Sequence, residues 1–295
     1  MLYGGIEAGG TKFVCAVGDE HGKIIEKVQF PTTEPEETIK KVIVFFRQFT
    51  LEAIGVGSFG PCDINPNSKT YGYITSTPKT TWENYPILQI LKDKFNVPIA
   101  FNTDVNAAAL GESTLGAAKG LDSCLYITVG TGIGAGAVVN GQLLQGLSHP
   151  EMGHVLVRRH PNDSYQGTCP YHGDCLEGLA AGPAIEARWG EKGSELSSRQ
   201  EVWELEAFYI AQALMHYVLI LSPKRIILGG GVMKQKQVFS FIHENFKKML
   251  NNYVDLPELS TKIEEYIVSP GLEVHAGITG SLLLARQAYQ EGQRL

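Results

Sequence analysis

Positive charge is in short supply in this sequence. Lysine and arginine total 25 against 31 aspartates and glutamates, a net charge of -6 with histidine neutral. That balance gives no basic footprint for a nucleic acid or an anionic membrane, although it leaves room for a single nucleotide held by backbone amides. Long apolar runs are lacking too. No window reaches the roughly 18 apolar residues of a membrane span. The opening MLYGGIEAGGTK puts Glu7 and four glycines where a signal peptide needs its apolar core. A cytoplasmic location is therefore expected, where thiols stay reduced. Cysteine is sparse and odd in number, five in 295 residues. Cys15, Cys62 and Cys124 stand alone in or beside apolar segments and read as free core residues. Only Cys169 and Cys175 fall close together.

What the chain does have is glycine, 33 residues in clusters, and enough length for about two domains. The segment GGIEAGGTKFVCAVGDEHGKIIEKVQF reads as three strands joined by a glycine turn and a DEHG turn. In PEETIKKVIVFFRQF, Ile39, Val42, Ile43 and Phe46 keep helical spacing behind Pro35. EAIGVGSFGP and PIAFNTD read as buried strands, and VNAAALGESTLGAA as a helix. The pattern then restarts: CLYITVGTGIGAGAVVNGQLLQG repeats the strand, glycine-threonine turn, strand, tight turn, strand order. Helices QEVWELEAFYIAQALMHYVLIL and QVFSFIHENFKKMLNNY flank the strand RIILGGGV, and HAGITGSLLLARQAY closes the chain. Two copies of one unit predict an internally duplicated α/β protein.

Three glycine loops attract a ligand reading. GIEAGGTK is not a P-loop, since Thr11 rather than lysine follows Gly10. GTGIGAG is not a dinucleotide fingerprint, because Gly130, Gly132, Gly134 and Gly136 alternate and no helix opens there. Alternating glycines bare one face of a strand to close approach, and LGGGV ends a strand before a helix. Each loop alone is more often structural. Together, with Thr11 and Thr131 supplying hydroxyls, they point to nucleotide phosphates.

Asp104, at the mouth of a predicted helix, is a candidate N-cap and a candidate general base for an attacking hydroxyl. Asn102 and Asn106 lie beside it and could bind polyols or fix the helix entrance. In GTCPYHGDCLEG, Cys169, His172 and Cys175 step by three, with Glu177 two places on. His154, upstream beside Glu151, can complete a set of two imidazoles and two thiolates that suits tetrahedral zinc. A closed set of four makes such a metal structural. A Cys169–Cys175 disulfide is the rival, and His160 is the alternative imidazole.

Taken in order, GIEAGGTK, GTGIGAG, HPEMGH, CPYHGDCLEG and GGGV resemble the ROK sugar kinases of the actin-like ATPase superfamily, over essentially the whole chain. GIEAGGTKFVCA and ITVGTGIGAGAV look most like the bacterial fructokinase branch. The resemblance implies two RNase H-like domains with a cleft between them and a small zinc loop. Their expected bounds are 1–115, joined by a C-terminal helix at 275–291, and 116–274, with the zinc loop at 154–175. It implies ATP-dependent phosphorylation of a hexose, D-fructose first, with Asp104 as the base. Gly60, Asn102, Glu151, His154 and Glu177 would bind sugar. Gly9, Gly10, Thr11, Lys12, Thr131, Gly132, Pro183, Gly229, Gly230 and Gly231 would contact ATP. His154, Cys169, His172 and Cys175 would hold zinc. Magnesium would bridge the phosphates, and a homodimer is expected. Two positions depart from the family pattern: Glu7 stands where many members have aspartate, and His172 where many have a third cysteine. Alternatives within the family are kinases for glucose, mannose or N-acetylmannosamine. A sugar-sensing repressor needs a helix-turn-helix ahead of the first hairpin, and that hairpin begins by Gly4.

Overall fold

The computed structural model describes residues 1–77 and 79–293. In chain order its elements are β1 (Tyr3–Ala8), β2 (Lys12–Gly18), β3 (Ile24–Pro31), α1 (Pro35–Phe46), β4 (Ala53–Ser58), α2 (Ile87–Lys92), β5 (Ile99–Thr103) and α3 (Asp104–Thr114). There follow β6 (Cys124–Val129), β7 (Ile133–Val139), β8 (Gln142–Leu143), α4 (Leu176–Ala180), α5 (Gly182–Trp189) and α6 (Gln200–Leu221). The remainder is β9 (Ile226–Gly229), α7 (Gln237–Leu250), α8 (Ile263–Tyr266), β10 (Ile267–Val268) and α9 (Ala276–Gly292). The chain divides into two units. One comprises Met1–Lys119, Leu143–Pro150 and Val274–Leu295; the other comprises Gly120–Gln142 and Glu151–Glu273.

The first unit is built on a mixed sheet of order β3-β2-β1-β4-β5. The first three strands form an antiparallel meander, and β4 and β5 run parallel to β1. One face of the sheet and the apolar stripe of α1 meet in a core of Phe13, Val42, Phe46, Ile54, Val56 and Trp82. That stripe exists because residues three and four apart share a helix face. On the other face α3 and α9 press onto β4, and glycine is what lets them approach. A Cβ added at Gly55 would collide with the Ser281 carbonyl oxygen, and one at Gly280 with that of Ala107.

The second unit repeats the plan in the order β10-β9-β6-β7-β8. Again a meander comes first, here β6-β7-β8, and β9 and β10 follow parallel to β6. Read from the third strand of each meander, the two sheets have the same order, 3-2-1-4-5. The chain is thus an α/β protein with two copies of one mixed sheet. Helix α6 carries the core of this unit through Trp203, Tyr209, Ile210 and Leu214. Among the described residues it alone is long and apolar enough to cross a membrane, a segment the composition had not flagged, and much of that apolar window is buried inside the protein.

Candidate active site

In the first unit the β1–β2 turn is closed by the Gly9 amide, which donates to the Lys12 carbonyl at 3.0 Å. Thr32 braces it from β3's end: its hydroxyl donates to the Gly9 carbonyl at 2.6 Å, and its amide to that of Thr11 at 2.9 Å. Lys12 sends its ammonium along the sheet to Gln29 Oε1, 3.3 Å away. Glu7, on β1, accepts the backbone amide of Ile278 in the first turn of α9. Burial raises its carboxyl above the usual range, while Lys12, Ile278 and Lys27 work against that rise.

Asp104 follows the parallel strand β5 directly. The helix cap is Thr103, not Asp104: the Thr103 hydroxyl accepts the Asn106 amide at 3.1 Å. Threonine's side chain sits one residue ahead of the first helical turn, where the orphan amides point. Asp104 is consequently the first helical residue, half-buried, with Oδ1 accepting the Val105 amide at 2.8 Å. The partial positive charge of a helix N-terminus favours a negative charge there. Asn102 Oδ1 accepts from the Thr103 amide at 2.9 Å and from Asn106 Nδ2 at 2.8 Å, so these two asparagines lock the strand-to-helix junction. Gly60 lies in the loop after β4.

In the second unit three predicted nucleotide elements converge. The Gly130 amide donates to Gly132 across the β6–β7 turn at 2.9 Å, and the Gly182 amide at the head of α5 donates to Gly130 at 2.7 Å. Pro183 follows Gly182 inside the first turn of that helix. Gly229 ends β9, and Gly230 adopts φ +94°, where a Cβ would strike the Val129 backbone. Thr131 sits at the turn's tip, exposed. Small residues on all three segments leave backbone at the surface of the site, the arrangement that binds phosphate oxygens.

His154, Cys169, His172 and Cys175 place one ligand atom each within 4.8 Å of one another. His154 Nδ1 is 3.7 Å from Cys169 Sγ and 3.5 Å from Cys175 Sγ; His172 Nδ1 is 3.6 Å from Cys169 Sγ. Zinc–sulfur and zinc–nitrogen bond lengths put S···N at about 3.5 Å across a tetrahedral ion, so the donor set fits zinc as it stands. Burial pushes the Cys175 thiol up to about 11, a thiolate that only a cation makes favourable. No disulfide joins Cys169 to Cys175. His160 is elsewhere: its Nδ1 accepts the Asn162 amide and its ring packs on Phe208 at 4.8 Å.

The other edge of His154 faces a carboxylate. Its Nε2 is 3.9 Å from Glu177 Oε1, and Glu177 Oε2 accepts the Ile133 amide at 2.8 Å. Glu177 therefore ties α4 to the strand that leaves the Gly130–Gly132 turn. Burial raises the Glu151 carboxyl above its usual range; His154 opposes the rise and Glu177 adds to it.

Residues 3–288 match the ROK family along their length. The chain belongs to that family. It is 50% identical over 287 residues to a fructokinase of Lactococcus lactis subsp. cremoris, covering 97% of both chains. It is 48% identical over 292 residues to the fructokinase of Streptococcus mutans, covering 97% of this chain and 98% of that one. Among solved structures it is similar to a ROK family glucokinase from Streptomyces griseus in complex with glucose and AMPPNP, with 25% identity and a TM-score of 0.79 over 97% of this chain and 100% of that one.

Two of the hydrogen bonds that brace these segments, one in each unit, have no signal in the sequence. Thr32 lies 23 residues from the Gly9 carbonyl it braces, and Ile133 lies 44 residues from the carboxylate that takes its amide. Only the Glu177 end was open to inference, through its place beside Cys175.

Proposed function

We propose that this ROK chain is an ATP-dependent fructokinase, which transfers the γ-phosphoryl group of magnesium-bound ATP to the 6-hydroxyl of D-fructose. The observation that carries the chemistry is Asp104, half-buried at the first turn of α3 directly beyond a parallel strand. In the transfer the O6 oxygen bonds to the γ-phosphorus and Asp104 accepts the O6 proton. The bond from phosphorus to the β-phosphate bridging oxygen breaks, and ADP departs. The choice of sugar rests on the fructokinases at 48–50% identity over nearly the full chain.

Gly60, Asn102, Glu151, His154 and Glu177 hold the sugar. The carboxylates accept from its hydroxyls, and with Nδ1 given to a metal, His154 Nε2 carries a proton to donate. Gly10, Thr11, Lys12, Thr131, Gly132, Gly229, Gly230 and Gly231 take ATP through backbone amides and two hydroxyls, with Gly9 and Pro183 lying beside the nucleotide. Zinc, held by His154, Cys169, His172 and Cys175, would supply a rigid closed set of four bonds and no open position. Glu7, engaged by α9, meets magnesium through water. The same reading carries a cytoplasmic homodimer with no nucleic acid or membrane partner.

Phosphorus NMR of the enzyme with Mg-ATP and fructose tests this. Fructose 6-phosphate and ADP should appear in equal amounts. A product phosphorylated at another hydroxyl, or hydrolysis to phosphate alone, would overturn the proposed chemistry.

A further inference from the structure

The second unit holds a buried ion pair outside the residues of the proposed chemistry. Asp163, buried in the segment between His154 and Cys169, receives Arg188 of α5: Nη2 to Oδ2 at 3.1 Å and Nε to Oδ1 at 3.3 Å. That is the parallel two-toothed contact that only a guanidinium makes with a carboxylate. The Tyr209 hydroxyl on α6 donates to Asp163 Oδ2 at 2.6 Å and accepts the His160 amide at 3.1 Å. Arg188 Nη2 also donates to the Leu179 carbonyl at 2.8 Å, near the end of α4, and its guanidinium lies over the Tyr165 ring at 4.6 Å. Burial works against the Asp163 charge, but Tyr209, the Tyr165 amide and Arg188 hold its carboxyl below the usual range.

The consequence is positional. The segment that brings Cys169 and His172 to the ligand cluster has no regular structure of its own between residues 155 and 175. Helix α4, which begins immediately after Cys175 and carries Glu177, is only five residues long. Neither holds its place by local propensity, since isolated helices this short do not form. Arg188 grips both, the loop through Asp163 and α4 through Leu179, from a helix whose first amide is bonded to Gly130.

We propose that Arg188, with Asp163 and Tyr209, is a positioning group that fixes the ligand loop and α4, so that Cys169, His172, Cys175 and Glu177 hold their geometry. The sugar consequence rests on the fructokinase reading; the metal consequence does not.

The test uses zinc-loaded protein with Arg188→Lys, which keeps the charge and loses the fork, and Tyr209→Phe, which removes one hydroxyl. Zinc release to an excess of a chromogenic chelator is timed, and KM is measured for fructose and for ATP. Release should quicken about 10- to 100-fold, the effect expected of supports behind metal ligands. KM for fructose should rise while KM for ATP stays within about twofold. If Arg188→Lys does not fold, Tyr209→Phe decides. Variants that melt earlier yet release zinc at the wild-type rate would show a merely structural pair, and a wild-type chain that takes up no zinc also overturns the proposal. Should no hexose be phosphorylated, the fructokinase reading fails while the release rates still decide this one.

Discussion

His154 faces two ways: its Nδ1 lies 3.5 Å from Cys175 Sγ, and its Nε2 lies 3.9 Å from Glu177 Oε1. One imidazole therefore connects the ligand cluster with a carboxylate that also holds the Ile133 amide. The positions of the loop and of the Glu177 carboxylate are set together.

Glu177→Gln keeps the side chain's size and removes its charge. A hydrogen bond to a charged group contributes about 1.5–3 kcal/mol, so kcat/KM for fructose should fall about 10- to 100-fold. Most of the change should be in KM, measured by steady-state kinetics with ATP saturating. An unchanged KM would remove Glu177 from the sugar site.

Asp104→Asn retains the junction bonds of Thr103 and Asn102 and abolishes proton acceptance. General-base catalysis contributes about 10²- to 10⁴-fold, so kcat should drop by that factor while the melting temperature barely moves. A variant with wild-type kcat would show that Asp104 only shapes the helix start.

Zinc uptake should release protons and strengthen as pH rises. The sign follows from Cys175, whose thiol burial pushes up to about 11. Its raised value favours the protonated folded state below the ordinary thiol range, and that contribution is lost as pH climbs through about 11. At neutral pH the metal-free thiol therefore holds its proton, and a bound ion must expel it. Calorimetric titration with zinc in buffers of different ionisation enthalpy counts the protons: at least one per ion is expected, and none in Cys175→Ser, which should not bind zinc tightly.

The duplicated sheet was legible because each meander writes its own signals: buried alternating strands, a glycine-threonine turn, then a tight turn such as Asn140-Gly141. Helix α1 showed itself through Ile39, Val42 and Phe46. The short helices α2, α4, α5 and α8 did not, since four to eight residues complete too few turns for a period to show. At the site, Cys169, His172 and Cys175 could be grouped because they are neighbours in sequence, and chemistry then asked for a fourth ligand. Thr32, Ile133, Asp163 and Arg188 could not, because their partners lie 23, 44 or 25 residues away and meet only through the fold. Thr103 displaced Asp104 as the cap although aspartate caps at least as well as threonine, because backbone geometry, not residue type, sets which side chain meets the Asn106 amide.

Close packing of α9 on β4 should tolerate no side chain at Gly55. Gly55→Ala forces a Cβ into the Ser281 carbonyl, and overpacking of this kind costs about 1–3 kcal/mol or more. Denaturant unfolding should report that loss. An unaltered midpoint would mean that the helix and strand part freely.

Initial rates of ADP formation from Mg-ATP across a panel of fructose, glucose, mannose and N-acetylmannosamine test the central claim most directly. The account predicts fructose as the substrate with the highest kcat/KM. Equal or better rates with another hexose would contradict the fructokinase reading, and ADP formation with none of them would contradict the kinase itself.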